Sequence, residues 1–155
     1  MVAPINLPFA DDSGWETTEL QLVRLGPLPT NPEHARASAF IIGLPGEPFT
    51  LYGLELGERF RREWGVHPDN VLVCGYTNDC IGYLCTPKAL QDGGYEAAVA
   101  HKIYHRPAAF SAATQKIISN YITKAAKALL VGLPPPQARF FSGGLNALTR
   151  WILQH

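Results

Sequence analysis

The apolar positions fall into short patterns with different periods. Glu19 to Leu25 alternates apolar and polar residues, the two-residue period of a half-buried strand. Ser38 to Leu44 and Asn70 to Cys74 are brief, nearly continuous apolar runs, as buried strands give. Between them, Phe49, Tyr52, Leu56, Phe60 and Trp64 recur every three or four residues, with Glu55, Glu58, Arg59, Arg62 and Glu63 in most of the remaining places. That spacing predicts an amphipathic helix over Pro48–Trp64, with Pro48 suited to the first turn because its missing N–H would have no partner there. Strand, helix and strand of these lengths predict a right-handed βαβ unit with parallel strands. A second helix is expected from about Ala112 to Val131, with Ser111 as its N-cap, a buried stripe of Ile118, Ile122, Ala125 and Leu129, and a stop at Gly132 and Pro134. The fold class expected is therefore α/β, a mixed sheet containing the βαβ unit plus a long C-terminal helix.

Residues 1–16 are polar and Pro-rich and read as a surface strap. Residues 17–132 read as an α/β unit, and 133–155 as a Pro-rich linker with a short helical tail.

Composition narrows the function classes. The 155 residues hold 13 basic and 13 acidic side chains, a formal net charge of zero. A nucleic-acid partner is not expected, because such a surface needs a basic excess. No apolar run reaches the roughly 18–20 residues needed to cross a bilayer, and the first residues show no basic stretch followed by an apolar one, so no secretory signal is visible. Charged residues are only 17% of the chain, below a typical value of about 25%. Cys74, Cys80 and Cys85 are odd in number and match no metal or redox spacing, which favours buried free thiols.

In a parallel βαβ unit, ligand sites form beyond the carboxyl ends of the strands. Two unusual loops leave those ends, Gly43–Pro48 and Gly75–Tyr83. Neighbouring strands would bring Glu47, Asn78, Asp79 and Tyr83 to one sheet edge. Glu47, placed where the helix is expected to begin, would have its ionised form favoured by the helix dipole, and an ionised carboxylate on a tight Pro-Gly turn suits a metal site. The bland reading, that Glu47 caps its helix and Pro45-Gly46 merely turns, stays open from spacing alone. His101 and His105 stand four residues apart, which would put both on one helix face, but the protease glutamate is missing and Pro107 follows closely. His34 and His67 fall in polar stretches and read as solvated.

Leu44-Pro45-Gly46-Glu47-Pro48-Phe49-Thr50, then Asn78 through Tyr83-Leu84-Cys85-Thr86-Pro87, then Gly93-Gly94-Tyr95-Glu96, resemble in order and spacing the second half of the catalytic domain of neutral/alkaline non-lysosomal ceramidases. The resemblance covers roughly Glu19 to Leu130. Cys80 and the Gly93-Gly94-Tyr95 form are closer to the family's uncharacterised bacterial relatives. The resemblance implies a zinc-dependent hydrolase that cleaves the N-acyl amide bond of ceramide or a related lipid amide. It implies Glu47 and Tyr83 as zinc ligands, and Tyr95 and Asn78 as active-site residues. It also implies a site completed by histidines from an N-terminal half that these residues do not include, so the isolated chain is expected to be inactive. The other reading carried forward is a non-catalytic α/β remnant acting in binding or assembly.

Overall fold

The computed structural model describes residues 1–28, 31 and 33–131. The alternating segment becomes strand β2, Trp15–Leu25, four residues longer at its start than the pattern predicts. Ahead of it, Val2–Pro8 forms strand β1, paired antiparallel with β2 from Val2↔Gln21 to Pro8↔Trp15. These residues read as strap in the sequence because Pro4 and Pro8 break the pattern. An edge strand tolerates proline, since its outward positions donate no ladder hydrogen bond, and Ala3, Ile5 and Leu7 keep the two-residue period of a buried face.

A short helix, α1 (Glu33–Arg36), leads into β3, Ala39–Gly43. His34 lies in α1 rather than in a loop, with Nδ1 2.5 Å from the Leu28 carbonyl. Strand β3 pairs antiparallel with β2 and parallel with β5, Val71–Cys74. The sheet order β1-β2-β3-β5 is thus mixed, and α2, Thr50–Trp64, connects its parallel pair as the βαβ pattern requires. The last described element is α6, Thr114–Leu130. Between β5 and α6 come the two-residue β6 (Tyr83–Leu84), partner of β4 (Glu47–Pro48), and three short helices, α3 (Pro87–Asp92), α4 (Tyr95–Ala98) and α5 (Ala100–Ile103).

One face of the sheet, with Ile5, Leu7, Leu20, Leu22, Phe40 and Ile42, joins Leu56 and Phe60 of α2 and Ile118 and Ile122 of α6 in a single core. Phe60 sits at its centre: its ring meets Phe40 edge-on at 4.8 Å and Trp64 at 4.9 Å. The two helices are also cross-linked by polar contacts. Glu55 pairs with Arg59 at 3.0 Å, Arg59 donates to Asn120 at 3.1 Å, and the Ser119 hydroxyl donates to Glu55.

Several boundaries differ from the sequence pattern. Pro48 lies in β4, and α2 begins at Thr50 behind an extended Phe49, so neither Pro48 nor Glu47 is in the first turn. The dipole argument for Glu47 therefore falls. Helix α6 begins at Thr114 without a side-chain cap, and Ser111 instead accepts from the Ala113 N–H in the preceding turn. In its stripe Ile118, Ile122 and Ala125 are buried and Leu129 is half-buried. Gly132, Pro134 and the tail 133–155 lie outside the described residues. Of the cysteines, only Cys85 is buried; Cys74 is half-buried and Cys80 exposed, all three being free thiols.

Because Phe60 is fully buried between sheet and helix, Phe60→Ala is expected to cost about 3–5 kcal/mol of unfolding free energy. Urea denaturation measures this, and a loss under about 1 kcal/mol would show that the core collapses around the gap.

Candidate functional site

Strands β3 and β5 run parallel, so the loops after them leave from the same edge of the sheet. Backbone hydrogen bonds then stitch those loops together. Leu44 N–H donates to Cys74 O at 2.8 Å, Thr77 N–H to Leu44 O at 2.9 Å and Tyr76 N–H to Gly46 O at 2.9 Å. The second loop returns past the first, with Ile81 N–H donating to Pro45 O at 3.0 Å and Glu47 N–H to Gly82 O at 2.9 Å. The approach is too close for a side chain at Gly46, where a Cβ would run into the Gly82 carbonyl. A Cβ on Gly75 would stand 2.8 Å from the Gly46 oxygen. The Pro-Gly turn is thus required by backbone packing on both sides.

The result of this stitching is the parallel pair β4–β6, in which Glu47 is the direct partner of Tyr83. Side chains of direct partners emerge on one face, so a carboxylate and a phenol stand side by side. Three more tyrosines gather there. Tyr104 donates its hydroxyl to Glu47 Oε1 at 3.0 Å. The Tyr83 ring meets Tyr95 edge-on at 6.0 Å and Tyr104 at 6.4 Å. The Tyr76 hydroxyl is within hydrogen-bonding reach of Glu47 and Tyr104, with its backbone held at φ 52°. Hydrogen bonding to Glu47, followed by burial, pushes the Tyr76 and Tyr104 phenols above their ordinary value. For Tyr83, burial acts first and the charge of Glu47 second, in the same direction. All three phenols keep their protons at neutral pH and serve as donors.

Glu47, Tyr83 and Tyr95 are therefore brought together. Asn78 is exposed in its loop at φ 69°, a left-handed conformation that Asn tolerates better than most residues. Asp79, which the strand order also carries to this edge, is engaged structurally. It accepts from Thr18 Oγ1 at 3.1 Å and from the Cys80 N–H at 2.7 Å, tying the loop to β2. His101 and His105 do not share a helix face, because α5 ends at Ile103 and His105 adopts φ 54°. A tight turn follows α5, in which Arg106 N–H donates back to His101 O at 2.8 Å. His67 is exposed and caps the 3-10 turn Pro68–Asn70, accepting from the Asp69 N–H. Burial, then the charge of Glu96, pushes the Cys85 thiol up to about 11, which leaves it a protonated core residue.

The sequence pattern does not single out Tyr76 or Tyr104. Tyr76 directly follows Gly75 in one of the two unusual loops, and that position is the signal that could have found it. Tyr104 lies between His101 and His105, and nothing in local spacing tells that its hydroxyl reaches a residue 57 positions away.

A zinc ion takes four ligands in most protein sites. Glu47 and Tyr83 supply two adjacent oxygen donors, and a carboxylate retains lone pairs beyond the one facing Tyr104. Among the described residues no group of three or more His, Cys, Asp and Glu could hold a metal. The donors present fit part of a coordination sphere.

Part of the chain is similar to the neutral ceramidase of Mycobacterium tuberculosis, 36% identical over 81 residues. That match takes in 52% of this chain but only 11% of the relative. No protein-family model matches the chain, and no solved structure matches it. No helix among the described residues is long and apolar enough to cross a membrane.

Gly46→Ala should cost about 1–3 kcal/mol by overpacking the loop junction. It should also abolish the slow amide exchange expected at Glu47. An alanine variant with parental stability and a protected Glu47 amide would show that the two loops are not locked as described.

Proposed function

We propose that this chain supplies Glu47 and Tyr83 to the metal site of a zinc-dependent amidohydrolase that cleaves the N-acyl bond of a lipid amide such as ceramide. The remaining ligands would come from an N-terminal half of the same catalytic domain. The observation that carries this reading is the direct pairing of Glu47 with Tyr83 across β4–β6. The similarity of part of the chain to a neutral ceramidase supports it independently.

Zinc would supply Lewis acidity for attack on an unreactive amide. Glu47 would contribute negative charge and one oxygen ligand. Tyr83, a protonated phenol before the metal arrives, would contribute a second oxygen and a hydrogen bond toward charge developing on the carbonyl. Tyr95 lies edge-on against Tyr83 and is 46% exposed, so its ring borders the place where substrate would lie. Asn78, exposed on the neighbouring loop, offers an amide donor and acceptor toward the scissile bond.

Two ligands hold zinc weakly. The purified chain is expected to retain no stoichiometric zinc and to release no fatty acid from a ceramide analogue. Adding a histidine-bearing N-terminal half should restore zinc-dependent release, and Glu47→Ala should then abolish it. Stoichiometric zinc retained by the chain alone, or turnover by it, would contradict the shared site. Association of the two halves without any hydrolysis would favour a binding or assembly role.

A further inference from the structure

We propose that Tyr104 is a positioning residue that fixes the Glu47 carboxylate, a role that rests on Glu47 acting as a metal ligand. The hydroxyl of Tyr104 donates to Glu47 Oε1 at 3.0 Å and comes from outside both loops that carry the candidate ligands. Glutamate has three side-chain torsions, and β4 fixes only its backbone. Tyr76 and Tyr83 reach the carboxylate from the loops that carry the site itself, whereas Tyr104 holds it from a separate element.

The anchoring of Tyr104 suits it to that role. Its ring lies against the backbone of Gly82, where an added Cβ would stand 3.1 Å from ring carbon Cδ2 and where φ is +99°. Glycine at position 82 thus leaves room for this ring. Tyr104 follows the last turn of α5, its N–H donating to Ala100 O at 3.3 Å. The next residues are held to the β1–β2 end of the sheet. Arg106 pairs with Glu16 of β2 at 3.0 Å, and Phe110 stacks on Phe9 at 5.4 Å. The carboxylate is therefore oriented from the β1–β2 end of the fold, while its backbone is placed from the β3–β5 end. Partners of this kind, which orient a ligand without touching the metal, govern affinity by keeping the ligand in its binding geometry.

The test is Y104F in the full chain, a change that keeps the ring over Gly82 and removes only the hydroxyl. Crystal structures of the parent and the variant report the Glu47 side chain directly, with one rotamer expected in the parent and several in Y104F. Zinc titrations followed by the NMR signals of Tyr83 should show roughly tenfold weaker binding in Y104F. The melting temperature of the metal-free variant should stay close to that of the parent, which a merely structural role would not allow. A Glu47 carboxylate found in the same place in both proteins, or equal zinc affinity, overturns the role of Tyr104. A parent chain whose zinc response is absent, or is unchanged by E47Q, counts against the proposed function instead. The position of Glu47 in Y104F still decides the role of Tyr104 in that case.

Discussion

The two-residue parallel pairing of Glu47–Pro48 with Tyr83–Leu84 is the contact on which the candidate site depends. It is too short to persist alone. A backbone hydrogen bond contributes only about 1 kcal/mol net, and the pair is held because further bonds from Tyr76, Thr77 and Ile81 clamp the same turn. Those bonds require that the two loops start from adjacent, codirectional strands, which the β3–β5 pairing provides. They also require glycine where backbone meets backbone. The large βαβ framework thus determines where a few atoms of Glu47 and Tyr83 lie.

Around that junction the chain gathers phenols rather than imidazoles. The Glu47 carboxylate accepts from Tyr104 and stands beside Tyr83, with the exposed rings of Tyr76 and Tyr95 at the rim. This cluster offers oxygen ligands and hydrogen-bond donors but few nitrogen donors. Chemistry that needs imidazole ligands must draw them from elsewhere. The match to a neutral ceramidase takes in only 11% of that protein's length.

Much of the framework was legible in the sequence because burial imposes a period. The apolar run of β3 and the three-four spacing of α2 each answer to one packed face, and β3, β5 and α2 all appear within a residue or two of where the pattern puts them. Strand β5 is not the buried strand its apolar run suggests, since Leu72 is 58% exposed. Strand β1 was not legible, because two prolines that only an edge position tolerates hid its alternation. Pro48 misled in the opposite way. A proline fits a helix start, yet Glu47 N–H and Phe49 N–H on either side of it are drawn to the carbonyls of Gly82 and Leu84, which leaves Pro48 extended. At the site, Glu47, Tyr83 and Tyr95 could be picked out because they sit in dense local motifs. Tyr104 could not, since its role comes from a contact across the fold. The His101 and His105 spacing suggested a helix face that the turn before Pro107 does not allow.

The central claim is that the loop junction makes Glu47 and Tyr83 one metal-facing pair. Anomalous diffraction from crystals of the chain soaked in zinc tests it most directly. The account predicts a zinc peak within bonding distance of both a Glu47 carboxylate oxygen and the Tyr83 hydroxyl. Zinc bound only at histidines or cysteines away from β4–β6, with this pair bare at saturating metal, would contradict it.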